Sequence, residues 1–198
     1  MTLLAGTDSI ETERLILRRI APDDLEFYAR IQADPEVARY IAHGRPRSRQ
    51  ESEDWLQAIL ASYASCGLGQ LAVLAKDSGQ LVGRCGLTDA ALELGGDAGS
   101  PRRGWFFRAQ VPEGTAIEPM PELGYTFARE HWGLGYASEA SGAVYHYVRD
   151  QLKLPAIMSV IDADNHASLA VARKYGVTYA GKVELSGKAF DRYDWPLD

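Results

Sequence analysis

The chain has 198 residues, 46% hydrophobic and 24% charged, a balance that fits a single folded domain across 1–198 and excludes wholesale disorder. A formal net charge of −6 argues against a nucleic-acid partner, which would need a basic stripe, and is compatible with cationic, amine-bearing substrates. No apolar run reaches membrane-spanning length, Met1-Thr2-Leu3-Leu4-Ala5-Gly6 lacks the basic end and apolar core of a signal peptide, and Cys66 and Cys85 lack C-x-x-C spacing, so we expect a cytoplasmic protein with buried free thiols and no membrane contact.

Leu15 to Ile20 reads as a first strand, and Ala21-Pro22-Asp23-Asp24 opens a helix carrying Leu25, Tyr28, Ala29 and Gln32 at helical spacing. Asp34-Pro35 breaks the chain before a short helical piece through Val37, Tyr40 and Ile41. Arg45, Arg47 and Arg49 around Pro46 read as a solvated basic bend, the alternative being contact with an anionic group of substrate. Ser48 with Glu51 three residues on is a capping-box pattern, and it opens a helix through Trp55, Ile59, Leu60 and Tyr63. Leu71 to Lys76 and Leu81 to Leu87 form a predicted hairpin around Asp77-Ser78-Gly79.

Residues 89 to 120 are irregular, with loop chemistry at residues 95–101 and at Val111-Pro112-Glu113-Gly114. Between them Gly104-Trp105-Phe106-Phe107-Arg108 is aromatic enough for a short strand, which either covers a substrate cleft or packs on the flank; we favour the flank. Downstream, Leu123-Gly124-Tyr125-Thr126-Phe127 is extended and apolar, and a helical pattern runs from the following turn to about Asp150. Then come a strand at Ile157 to Ile161, a helix from Ala167 to Tyr175 ended by Gly176, a strand from Val177 to Val183 and a last strand from Arg192 to Leu197 with Trp195 inward. The order predicts an α+β fold built on a mixed sheet.

The densest chemical signal lies between that apolar strand and its helix, in Glu130-His131-Trp132-Gly133-Leu134-Gly135-Tyr136-Ala137-Ser138-Glu139-Ala140. A strand, a glycine-bearing turn and a helix start aim unpaired backbone N–H groups and the positive end of a helix dipole at one point. Taken alone, Gly133 and Gly135 read either as a phosphate cradle or as a helix cap.

The wider pattern resembles the GNAT superfamily of N-acetyltransferases, and within it the Rim-type branch, whose founding members acetylate the N-termini of ribosomal proteins. The resemblance rests on Glu122-Leu123-Gly124-Tyr125, then Trp132 to Ala140 in register, with Thr12 to Arg18 and Leu81 to Leu87 upstream. Downstream it continues through Asp164-Asn165-His166-Ala167-Ser168 and Arg173-Lys174-Tyr175-Gly176-Val177. It implies a centrally splayed sheet flanked by helices, the GNAT-like acyl-CoA N-acyltransferase fold, with an insertion at about 89–120. It also implies acetyl-CoA as cosubstrate, no metal, and direct attack by an amine of a protein N-terminus or a small molecule.

By that resemblance the pyrophosphate lies over the backbone of Trp132, Gly133, Leu134, Gly135, Tyr136 and Ala137. The pantetheine arm runs along Tyr125, Thr126 and Phe127, with Asn165 reaching it; from the residues alone Asn165 is also a favoured helix N-cap. Glu122 is the first choice of proton acceptor and Glu184 the second. The superfamily's usual acid, a tyrosine four residues before the last helix's glycine, is absent: Ala172 stands there, and Ser168 takes the role in the Rim-type pattern. Glu130 occupies a position that is usually Gln or Arg, so it is not expected to touch phosphate.

The four histidines show no metal-ligand spacing, and neither G-x-S-x-G nor G-x-x-x-x-G-K-[ST] is present, which removes the anchors of hydrolase and P-loop readings. The rival to catalysis is a non-catalytic acyl-CoA-binding regulatory module on the same scaffold. Either is compatible with a monomer or a homodimer.

Overall fold

A computed structural model describes residues 4, 9–41, 44–94, 102–185 and 187–197. Most of the N-terminal hexapeptide and the glycine-rich loop 95–101 therefore fall outside the described residues. The strands are β1 (Ser9–Glu11), β2 (Leu15–Arg19), β3 (Gln70–Ala75), β4 (Leu81–Thr88), β5 (Ala90–Glu93), β6 (Arg102–Phe107), β7 (Ile117–Pro119), β8 (Glu122–Phe127), β9 (Met158–Ile161), β10 (Thr178–Leu185) and β11 (Lys188–Asp194). The helices are α1 (Leu25–Gln32), α2 (Pro35–Ala38), α3 (Arg49–Ser65), α4 (Tyr136–Tyr147) and α5 (His166–Arg173).

All eleven strands join one mixed sheet in the order β1-β2-β3-β4-β8-β9-β11-β10-β6-β5-β7. Its pairings are antiparallel except β8 with β9 and β10 with β6. No described helix is long and apolar enough to cross a membrane.

Register divides the central strands into two chemically different faces, because successive side chains point to opposite sides. Leu17, Val73, Leu71, Cys85, Leu87, Leu123 and Tyr125 share one face, and Ala140, Val144, Tyr145 and Val148 of the α4 segment complete the main core there. The opposite face carries Gln70 and Ala72 on β3, Arg84, Gly86 and Thr88 on β4, and Glu122, Gly124 and Thr126 on β8. Over it lie α1 and α3, whose Tyr28, Ile31 and Leu56 close a smaller core with Ile20, Ala72 and Ala128.

Local sequence chemistry sets several boundaries. Ser48 Oγ accepts from the Glu51 N–H and the Glu51 carboxylate accepts from the Ser48 N–H, the reciprocal cap expected at the start of α3. Asp24 closes the tight turn before α1 by accepting from the Ala21 N–H at 2.8 Å. Trp195 is buried as expected, and Tyr175 stacks on it with ring centroids 5.5 Å apart.

The segment 89–120 holds more regular structure than its composition suggests. It forms β5, β6 and β7, with β6 laid parallel beside β10, and Trp105 is buried with Ala90, Leu92, Met120, Met158, Val183 and Phe190. The aromatic strand neither covers a cleft nor packs on the flank: it is built into the sheet between β10 and β5, and two of these three strands lie outside the sequence expectation. Strand β1 was likewise unexpected.

The central fault line is between β8 and β9. They share one bridge, Glu122 opposite Met158, with the Met158 N–H bonded to the Pro121 carbonyl at 3.0 Å; past it no backbone pairing joins them. Ser159 crosses the opening: its hydroxyl donates to the Leu123 carbonyl at 2.6 Å and accepts from Trp195 Nε1 at 2.9 Å, all three groups buried. Ser159→Ala orphans a buried carbonyl and a buried indole N–H, so it should cost about 1–3 kcal/mol in urea unfolding. A loss within about 0.5 kcal/mol, the usual range for an inconsequential surface change, would mean that the bridge does not hold the opening.

Candidate functional site

Glu122 stands at the apex of the opening, half-buried, on the face covered by α1 and α3. Burial pushes its carboxyl up to about 7, against opposing effects of the Arg84 charge and a hydrogen bond from the Val160 N–H. The Val160 N–H of β9 thus faces the Glu122 carboxyl of β8 where the two strands part. Beside it Gly124 faces open space: an added Cβ would meet nothing nearer than Glu122 Oε1 at 3.8 Å.

Arg84 lies on the same face. Its Nη1 donates to Gln70 Oε1 at 2.8 Å, Gln70 Nε2 donates to Thr88 Oγ1 at 3.2 Å, and the Trp55 ring covers the guanidinium at 5.4 Å. Desolvation lowers the Arg84 guanidinium to about 10. Sequence reading missed this group, although one charged residue inside the apolar run Leu81 to Leu87 is the signal that could have revealed it.

The glycine turn follows β8 directly. Gly133 and Gly135 adopt φ of +75° and +82°, in the left-handed region that favours glycine. Gly135 caps α4 with no side-chain hydrogen bond, and Cβ atoms added at Gly133 would meet nothing within 4 Å. The backbone N–H of Trp132, however, is already bonded to the Arg129 carbonyl at 3.1 Å. Of the backbone donors expected to line the turn, that of Trp132 is therefore committed within the protein. Trp132 and Leu134 are 47% and 49% exposed, and Trp132 is pinned through Nε1 to the Phe127 carbonyl at 2.9 Å.

What holds the turn comes from the other end of the chain. The Glu139 carboxylate accepts from Thr12 Oγ1 at 2.5 Å, from the Arg14 N–H at 2.8 Å and from Arg14 Nε at 2.7 Å. Arg14 Nη1 donates to the Leu134 carbonyl at 2.9 Å, and the guanidinium sits over the Tyr136 ring at 4.9 Å. Glu130 pairs with Arg30 at 2.9 Å and is exposed.

Asn165 caps α5, its Oδ1 accepting from the Ser168 N–H at 3.0 Å. The Ser168 hydroxyl lies 2.9 Å from the Tyr125 hydroxyl, joining the start of α5 to β8. Burial pushes the Tyr125 phenol up to about 12, so it stays protonated at neutral pH. Thr126 and Phe127 are buried, which leaves their backbone as the part able to meet a ligand in the opening. Tyr175 donates to the Ser138 carbonyl at 2.6 Å and packs in the core.

Glu184 is not brought to Glu122. It is exposed on β10, paired opposite Ala189 and Gly104, and the strand order puts three strand spacings between β8 and β10, roughly 14 Å. Among the described residues no group of three or more His, Cys, Asp or Glu gathers as a metal site.

The family model described as Acetyltransferase (GNAT) domain matches residues 14–178. The uncharacterized N-acetyltransferase p20 of Bacillus licheniformis is 24% identical over 194 residues, covering 96% of each chain. The acetyltransferase from Agrobacterium tumefaciens str. C58 superposes with a TM-score of 0.70 at 24% identity, covering 99% of this chain and 98% of that one. RimL, a ribosomal L7/L12 alpha-N-protein acetyltransferase solved with coenzyme A, gives a TM-score of 0.67 at 16% identity, covering 94% and 96%. At such identities the solved structures speak for the fold, a mixed open sheet flanked by helices, whereas the family model spans most of the sequence: the chain belongs to the GNAT acetyltransferase family.

Proposed function

We propose that this protein transfers an acetyl group from acetyl-CoA to an amine. The observation that carries this reading is the parting of β8 from β9 at Glu122, with the left-handed glycine turn following the same strand. The cradle fits the cosubstrate: Gly133 leaves room that a side chain would fill, and α4 begins without a capping side chain. Backbone of Tyr125, Thr126 and Phe127 would flank the pantetheine arm, and one of their N–H groups would polarise the thioester carbonyl.

Glu122 takes a proton from the acceptor ammonium, directly or through water, which frees the nitrogen lone pair. The nitrogen bonds to the acetyl carbon, the carbon–sulfur bond breaks, and sulfur leaves with the bonding electrons. The Ser168 hydroxyl, backed by the Tyr125 phenol, supplies a proton to that sulfur and is reprotonated through solvent as the new amide nitrogen sheds its second proton. Because its folded value is raised to about 7, Glu122 is largely protonated at pH 6 and ionised at pH 8.

Three measurements test the reading. Turnover should climb with pH through about 7, and Glu122→Gln should remove that limb, lowering turnover about 10²–10⁴-fold below the amine's own pKa while CoA still binds. A Gln variant at full rate over this range would take the proton acceptor away from Glu122. Gly133→Val should weaken CoA binding by at least about tenfold in calorimetry. Gly79→Val, equally left-handed and equally uncrowded in the β3–β4 turn, controls for backbone strain and should bind normally; equal affinity in both would remove the cradle. Ser168→Ala should lower turnover with the melting temperature held, whereas a drop in stability alone would make Ser168 part of the α5 cap.

A further inference from the structure

Two guanidinium groups, Arg47 just before α3 and Arg84 on the face of Glu122, make no ion pair among the described residues. In the bend before α3, Arg45 pairs with Glu51 at 2.5 Å, and Arg49 pairs with Glu26 at 2.6 Å and with Glu53 at 3.1 Å. Those two match the expected solvated bend. Arg47 between them does not: it is half-buried, its backbone N–H is bonded to the Gln32 carbonyl at 2.9 Å, and it makes no ion pair among the described residues. Burial lowers its guanidinium from the usual value, against the attraction of the nearby Glu51 carboxylate, which Arg45 already holds.

Arg47 is close enough to Arg84 for the two charges to repel. Arg84 also makes no ion pair among the described residues; its nearest fixed partners are the neutral Gln70 side chain and the Trp55 ring. Glu122 attracts Arg84 without forming an ion pair, and Glu122 itself is neutral in a good part of molecules near neutrality. Two partly desolvated guanidinium groups that repel one another are unfavourable together unless an anion comes to them, and a fork of five N–H donors on each suits a carboxylate or phosphate.

We propose that the acceptor carries an anionic group besides its amine, held between Arg84 and Arg47 while the ammonium end meets Glu122. This deepens the acetyl-transfer reading and rests on it for the amine end only. The anion is a carboxylate or phosphate of a small amine, or an acidic side chain close behind a peptide N-terminus. The recognising chemistry is the same. Arg84 is held in place by Gln70 and Trp55, while Arg47 enters from the bend and sets the distance between the two ends of the substrate.

The test uses the full chain with two pairs of probes: 4-aminobutyrate against 4-aminobutanamide, and Ser-Asp-Glu-Ala-amide against Ser-Asn-Gln-Ala-amide. Each is titrated calorimetrically with CoA present, and each is assayed for CoA release from acetyl-CoA. The anionic member of at least one pair should be preferred about tenfold or more, and Arg47→Gln should bring that ratio near one while Arg45→Gln keeps it. The preferred pair identifies a small molecule or a peptide as the source of the anion. No preference in either pair, or one that survives both Arg47→Gln and Arg84→Gln, overturns the proposal. Anion-selective binding without CoA release would keep the anion site and sink acetyl transfer; CoA release without anion preference would do the reverse.

Discussion

Everything in the candidate site depends on two neighbouring strands that stop hydrogen-bonding after one bridge. A buried strand edge normally pairs its N–H and C=O groups, because leaving them unpaired costs as much as a lost hydrogen bond. Here β8 and β9 part after Glu122 opposite Met158, and side chains take over: Ser159 reaches the Leu123 carbonyl, and the Glu122 carboxyl faces the Val160 N–H. The opening is therefore a built feature, with its polar groups accounted for near the apex. Farther along, where β8 runs through Tyr125 to Phe127, backbone is left for something to lie against. The burial of Glu122 follows from its place at this apex, and the proton transfer proposed for it draws on that burial.

The two faces of the sheet divide the labour. Apolar side chains alternate inward along β2, β3, β4 and β8 to meet α4, and this core rigidifies the strand from which the glycine turn departs. The other face would be a second core if its residues were apolar, yet Gln70, Arg84, Thr88, Glu122 and Thr126 occupy it. Polar groups in such a place are costly unless bonded, and the chain from Arg84 through Gln70 to Thr88 bonds them. Charge is less well balanced than hydrogen bonding there, since Arg84 is repelled by Arg47 and faces a carboxylate, Glu122, that is itself shifted towards neutrality.

Much of this was legible in the residues, for local reasons. Ser48 with Glu51, the hairpin around Gly79 and the Trp132 to Ala140 turn are short-range patterns whose physics is contained in a few consecutive residues. The Thr12–Arg14–Glu139 lock was not legible, because it joins groups 125 or more residues apart and depends on where β2 lies relative to α4. Arg84 was passed over because its meaning comes from register: only the pairing of β4 with β8 puts it on the face of Glu122. Glu184 failed for the same reason in reverse. It follows β9 and α5 in sequence, but β11 inserts between β9 and β10 and carries it away from the opening. Strands β5 and β7 escaped because their short apolar stretches acquire burial only against Met158, Val183 and Phe190 of distant strands.

The hydroxyl pair at Ser168 and Tyr125 shows why position along a chain is a weaker guide than position in space. The tyrosine that many superfamily members carry on the last helix is Ala172 here, only 2% exposed and packed with Ile161 and Tyr193. A phenol nonetheless arrives from the opposite side, on β8, and meets the hydroxyl of Ser168 one helical turn before Ala172. A serine alone is a poor acid in water. Next to a protonated phenol and at the cap that Asn165 forms, it becomes the near end of a two-hydroxyl chain whose far end is buried. Loss of one expected residue therefore does not by itself argue for a non-catalytic module: the chemistry that residue would supply can be carried by a strand instead of a helix, provided that the two elements are held in register, as the Ser168 and Tyr125 contact holds them.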